Sequence, residues 1–133
     1  MFGKTENHLQ AGATTLISKL TEITGDLHFS GNLEIEGTFH GNIVAKDGGN
    51  ASLRVLHEGK VMGKIQVPTV IINGHVDGEV HSSKHLELAA KATVKGNLYY
   101  HFLEVVKGAQ VNGKMIHVAS GAKTHDNVST NKQ

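Results

Sequence analysis

A five-residue phrase, with a glycine at its centre and an apolar residue at each end, occurs six times in this chain. "ITGDL", residues 23–27, is the first copy and "VNGKM", residues 111–115, is the last. The central glycines are separated by 16, 22, 15, 18 and 17 residues, and they are Gly25, Gly41, Gly63, Gly78, Gly96 and Gly113. Because a period near 17 is too short for a pair of helices, the repeat favours a β-solenoid in which each copy marks one coil.

The residues around each glycine alternate with the period of a β-strand. Apolar residues stand two before it (Ile23, Phe39, Val61, Val76, Val94 and Val111) and two after it (Leu27, Ile43, Ile65, Val80, Leu98 and Met115). Residues two apart point to the same face of a strand, so each set predicts one inward row. Further alternating pairs, such as Leu33 with Ile35 and Leu53 with Val55, predict two or three strands in every coil.

The glycines themselves are predicted to lie at coil corners, since glycine accepts tight bends that other residues resist. No phosphate-binding spacing surrounds them. The widest interval contains "KDGGN", residues 46–50, which we interpret as a loop protruding at a corner. Pro68 falls in the shortest interval and is also expected at a corner, because it cannot donate a ladder hydrogen bond.

Length and composition narrow the class of protein. The chain has 133 residues, the size of one domain, and a formal net charge of +1, which argues against a nucleic-acid partner. It has no cysteine, so disulfides and thiolate metal sites are excluded. No apolar run approaches the roughly 20 residues of a spanning helix, and the N-terminus does not resemble a signal peptide. We therefore predict a cytoplasmic, all-β, single-domain β-helix of about six coils.

The two ends of the chain lack the repeat. Residues 1–15 and 119–133 are predicted to be disordered tails around a β-helix domain at 16–118, because they contain too few apolar residues to order themselves. Phe2 beside Lys4 is a weak candidate for a membrane anchor.

No catalytic or metal-binding motif is found. Ten histidines are present, but none forms the HExxH zinc motif. Stacked coils would align His28 with His81, yet Val44 and Gln66 fall between them. There is no GxSxG nucleophile motif, and S-x-x-K occurs only in the C-terminal tail. The prediction is a protein that is not an enzyme and has neither metal nor cofactor.

The ordered set of phrases strongly resembles the bactofilin family of bacterial cytoskeletal proteins. "GDLHFSGNLEIEGTFHGNI", "VIINGHVDGEV" and "ATVKGNLYYHFLEV" carry the resemblance, which covers about residues 16–118. It implies a right-handed β-helix that polymerises end to end, without nucleotide or metal, into filaments lacking overall polarity. It also implies a scaffold on the inner face of the cytoplasmic membrane that positions cell-wall enzymes and influences cell shape.

The opening "MFGK" resembles the membrane-targeting stretch of many bactofilins, although Gly3 stands where the family often has serine. The resemblance thus implies membrane targeting by Met1, Phe2 and Lys4.

End-to-end stacking predicts an interface made of the apolar residues on the terminal coils. These are Ile23, Leu27 and Phe29 at one end, and Phe102, Leu103, Val105, Val111, Met115 and Ile116 at the other. Two alternatives remain open at this point. One is a non-polymerising solenoid adaptor that binds a partner along its strands, and the other is a hexapeptide-repeat acyltransferase. The drifting spacing within coils disfavours the acyltransferase.

Overall fold

The computed structural model describes residues 13–46 and 49–119, and every regular element in those ranges is a β-strand. The strands are β1 (Thr14–Ile17), β2 (Glu22–Thr24), β3 (Leu27–Phe29), β4 (Asn32–Ile35), β5 (Thr38–His40), β6 (Ile43–Ala45), β7 (Ser52–Val55), β8 (Lys60–Met62), β9 (Ile65–Gln66), β10 (Thr69–Ile72), β11 (His75–Asp77), β12 (Val80–Leu88), β13 (Thr93–Lys95), β14 (Leu98–Val105), β15 (Gln110–Asn112) and β16 (Met115–His117).

The strands form a solenoid of six coils with three faces. The first face stacks β1, β4, β7, β10 and residues 85–88 and 102–105 of β12 and β14. The second face stacks β2, β5, β8, β11, β13 and β15. The third face stacks β3, β6, β9, β16 and the beginnings of β12 and β14. All pairs are parallel, which confirms the predicted all-β solenoid.

The inward rows read from the sequence are also confirmed. On the second face the register runs from Ile23 through Phe39 and Val61 to Val111, and on the third face from Leu27 to Met115. The middle members of both rows are almost fully buried, at 0–1% exposure. Burying each such side chain contributes about 1.5–3 kcal/mol, so the rows form the core.

The repeated glycines lie between the second and third faces of every coil, where the chain turns and coils approach closely. Gly63 has a φ of 152°, and a Cβ there would lie 1.8 Å from the carbonyl oxygen of Gly41 in the preceding coil. Gly25 has a φ of 131°, and a Cβ there would meet nothing within 4 Å, since its coil is the first among the described residues. From the second coil onward, stacking itself requires a residue without a side chain.

A side-chain ladder runs beside the glycines. The Asn42 N–H donates to Asp26 Oδ1 at 3.1 Å, and the Lys64 N–H donates to Asn42 Oδ1 at 3.0 Å. The Lys114 N–H likewise donates to Asn97 Oδ1 at 3.0 Å. These amides lie between two regular inter-coil bonds, so the short polar side chain supplies the acceptor that the backbone lacks.

Corner lengths explain the uneven repeat. The turn between the first and second faces has two residues at 36–37 but four at 56–59, and residues 46–51 separate β6 from β7. The turn between the first and second faces also has four residues at 18–21, 89–92 and 106–109, so the surplus of the widest interval lies at the corner formed by 46–51, close to the predicted 46–50. Residues 47–48 of that corner lie outside the described residues. Pro68 lies between β9 and β10, at the corner where it was predicted.

The strands begin earlier than the predicted domain. Thr14 and Thr15, which were assigned to the N-terminal tail, lie in β1 and pair with Asn32 and Leu33. Residues 1–12, here called the N-terminal segment, and 120–133, the C-terminal segment, lie outside the described residues. The predicted disorder of both tails falls on these segments and stays a prediction.

Candidate polymerisation interface

Both ends of the solenoid leave strand edges without a neighbour among the described residues. β15 pairs with β13 and β16 with β14, each on one side only. At the opposite end β1, β2 and β3 also have a single partner each. An open edge presents unpaired N–H and C=O groups that another strand can pair with. The coil ends are thus the places where the ladder can be extended by another molecule.

Apolar side chains of the inward rows are partly exposed at the same two ends. At the N-terminal end Ile23, Leu27 and Phe29 are partly exposed while they still pack on the core. At the C-terminal end Val105 is 50% and Met115 49% exposed, and Leu103 and Val111 are partly exposed. These apolar side chains have the same inward orientation as their buried equivalents in the middle coils, but each has a neighbouring coil on one side only among the described residues.

Charged side chains at the N-terminal end are engaged with later coils. Lys19 Nζ lies 3.1 Å from Glu58 in the third coil, and Glu22 lies 2.9 Å from His40 Nε2 in the second. The hydrogen bond and charge of Lys19, with a smaller contribution from His57, lower the pKa of the Glu58 carboxyl. The Asp26 carboxylate likewise accepts the Asn42 N–H of the second coil. Charged side chains of the first coil are therefore paired with groups of the next two coils.

The C-terminal end is more basic. Lys107 and Lys114 are exposed on the last coil, and neither forms an ion pair with a described residue. Glu104 on the same coil lies 3.6 Å from His85 Nε2. The two ends therefore differ in charge as well as in the exposure of their apolar rows.

Two of the residues predicted for the interface point elsewhere. Phe102 is 66% exposed and pairs in register with His85 on the outer side of the first face. Ile116 pairs with Tyr99, in the outward row of the third face. Both belong to the terminal coil, but their side chains lie beside the stack. The inward positions at this end are Leu103, Val105, Val111 and Met115.

At the opposite end Ile17 also points inward, but unlike Ile23, Leu27 and Phe29 it is already buried and so offers no open apolar surface for a joint. It is 5% exposed and pairs with the inward Ile35. Its signal was the spacing from Thr15, which places both on the inward side of β1. The predicted tail ended at Thr15, so only the pairing of Thr14 and Thr15 with the second coil was unexpected.

The proposed membrane-targeting residues Met1, Phe2 and Lys4 lie in the N-terminal segment, outside the described residues. Within residues 13–46 and 49–119, no helix is long and apolar enough to cross a membrane. The outward row of the third face places Val44 and Gln66 between His28 and His81, as predicted.

Comparison with known proteins agrees with this architecture. A family model described as bactofilin, polymer-forming cytoskeletal, matches residues 15–116. Bactofilin BacO of Myxococcus xanthus (strain DK1622) is 30% identical over 103 residues, which cover 77% of this chain and 79% of that protein. No solved structure matches significantly. A repeat that predicts stacked coils, a solenoid whose two ends are open within the described residues and a family match over nearly all of those residues lead to one assignment: the chain belongs to the bactofilin family of polymer-forming cytoskeletal proteins.

Proposed function

We propose that this protein is a self-assembling scaffold whose filaments grow by end-to-end contact of the terminal coils, without nucleotide. The observation that carries the proposal is the loss of cover on the inward rows at both ends, above all at Val105 and Met115. Covering four partly exposed apolar side chains on each of two meeting ends gains about 6–12 kcal/mol in gross terms. Association costs about 4–15 kcal/mol, so added strand pairing and neighbouring joints are needed for a long filament.

We further propose that like ends meet, which gives a filament without overall polarity. An isologous joint brings the same patch of two molecules together, and alternation of two such joints extends without direction. The absence of cysteine permits a direct test. With a short bis-maleimide, Lys114→Cys alone forms cross-linked dimers if two C-terminal ends meet. If ends meet head to tail, it cross-links only in a mixture with Asp26→Cys.

Electron microscopy of purified protein, free of nucleotide and treated with a chelator, tests the assembly itself. Filaments are expected, with a thickness set by a single solenoid or a small bundle. A monodisperse monomer at high concentration would contradict the proposal and would favour the alternative of a non-polymerising adaptor. Family membership fits a structural role and not an enzymatic one.

The proposed location is the inner face of the cytoplasmic membrane, where the scaffold organises cell-wall enzymes and cell shape. The proposal is supported by family membership and by the candidate anchor at Phe2 and Lys4. A lysine near an anionic surface contributes about 1 kcal/mol and a buried phenylalanine about 1.5–3 kcal/mol, so one copy binds weakly. Many copies along a filament convert weak contacts into firm attachment.

Co-sedimentation with anionic liposomes tests the anchor. Phe2→Ser is expected to release filaments from the liposomes without dissolving them, while a short, end-substituted variant with intact Phe2 pellets weakly. Equal pelleting of wild type and Phe2→Ser would remove the anchor from the proposal. Attachment would then have to come from a partner protein.

A further inference from the structure

Three potential metal ligands converge on the outer side of the first face, across the last two coils. His85 and Glu87 stand two apart on β12, and Glu104 lies on β14 directly beside Glu87 in the register. One ligand atom from each side chain lies within 4.8 Å of the other two. His85 Nε2 is 3.6 Å from Glu104 Oε1. His85 and Glu87 are half-buried and Glu104 is exposed, so solvent reaches the cluster.

The electrostatics of the cluster differ from those of the same row three coils earlier. There Glu34 lies beside Arg54, with 3.9 Å between the charged atoms, and Ile71 follows in the next coil. Glu87 and Glu104 instead place two carboxylates opposite each other on paired strands, which is unfavourable without a cation.

The nearest lysine in the sequence does not supply that cation. The Lys84 ammonium donates to the Gly49 carbonyl at 2.8 Å. No ion pair joins Glu87 to any other residue in the described part of the chain. The cluster therefore holds two carboxylates and an imidazole, all able to ligate a metal, with no lysine or arginine paired to them in the described part of the chain.

We propose that His85, Glu87 and Glu104 bind a late first-row divalent cation of the Zn²⁺ type, with water completing its coordination. One imidazole nitrogen with two carboxylate oxygens suits Zn²⁺, Co²⁺ or Ni²⁺, whereas Mg²⁺ and Ca²⁺ prefer oxygen ligands alone. Bonds of about 2.0–2.2 Å place tetrahedral ligand atoms roughly 3.3–3.6 Å apart. The 3.6 Å separation already fits, and small side-chain rotations at this accessible site bring in the third ligand.

The cation would link residues 85–88 of β12, in the fifth coil, to residues 102–105 of β14, in the sixth and last coil. The ligands point outward, whereas the proposed filament joint uses the inward rows. Assembly therefore does not require the ion. Binding instead stabilises the last coil, whose first-face strand is paired on one side only among the described residues.

Equilibrium dialysis and visible absorption with Co²⁺ test the site on the full chain without an affinity tag. We expect one tightly bound Co²⁺ per chain, displaced by equimolar Zn²⁺ and unaffected by excess Mg²⁺, together with a rise of several degrees in the unfolding temperature. Glu87→Gln and Glu104→Gln, which preserve shape, are each expected to weaken binding at least tenfold and to abolish the temperature rise.

His40→Gln is the matched control. His40 also contacts a glutamate of the adjacent coil, Glu22 at 2.9 Å, but no third ligand joins that pair in the described structure. Binding should be unchanged in this variant. Equal Co²⁺ binding by wild type and both glutamine variants, displacement by Mg²⁺ at the same concentration as Zn²⁺, or loss of binding in His40→Gln would each overturn the proposal.

Discussion

Substitution of Met115 by arginine tests whether the inward rows at the C-terminal end form the filament joint. Met115 is 49% exposed on the isolated chain. Covering the exposed half of its side chain contributes about 0.7–1.5 kcal/mol, since full burial contributes about 1.5–3 kcal/mol. Met115→Arg removes that gain from both molecules of a like-end joint and places two unpaired charges there, and an uncompensated buried charge costs about 3–5 kcal/mol. The joint should weaken by at least about 3 kcal/mol, which is roughly a hundredfold in its dissociation constant.

The measurement is the critical concentration for assembly, obtained by sedimentation over a dilution series, with circular dichroism as the check on folding. We expect a β-rich but short species for Met115→Arg. Val44→Arg is the matched control, because Val44 lies on the same face but points outward in the second coil. It should polymerise like wild type. Filaments of normal length and unchanged critical concentration for folded Met115→Arg would show that this end is not a joint.

Three further predictions concern folding and the chain ends. Gly63→Ala should lower the unfolding temperature far more than Gly25→Ala, because both have positive φ but only the former collides with a carbonyl of the preceding coil. Comparable losses would mean that backbone strain dominates over coil contact. Asn42→Ala removes the acceptor of the Lys64 N–H and should cost about 0.5–1.5 kcal/mol in chemical denaturation, with Asn42→Asp near wild type. Deleting the N-terminal or the C-terminal segment, one at a time, should leave filaments visible by electron microscopy, and their loss would show that the deleted segment covers or bridges a coil end.

The sequence was sufficient to predict the stack and its inward rows. The phrase around each glycine is local, and its period of two within a strand sets which side chains share a face. Since parallel coils repeat the same phrase, aligning the glycines also predicts the register, as Phe39 beside Val61 and Leu98 beside Met115 confirm. The sequence also predicts which coils are terminal, because the first phrase is residues 23–27 and the last is residues 111–115.

Only the tertiary structure decided what happens across the corners. Between the third and first faces β12 has a register shift after Ser82, whereas β14 passes this corner with His101 alone between paired residues. One residue fewer reverses which side of the strand faces inward, so Leu103 points inward and Phe102 outward. Leu103 and Val105 also form an alternating pair in the sequence, but alternation from Leu98 and Tyr100 continues onto Phe102, so only the structure shows that Phe102 points outward.

The same limit applies to groups that come together from different coils. His85 and Glu87 are near each other in the sequence, but Glu104 joins them only through the inter-coil register. Likewise, the start of β1 at Thr14 depends on its pairing with Asn32 of the next coil, because β-branched threonines favour a strand but do not mark where it begins. The alternation that predicts a strand is a property of neighbouring residues in the sequence. The Glu104 cluster and the start of β1 depend instead on which residue of the adjacent coil lies one strand spacing, about 4.8 Å, away.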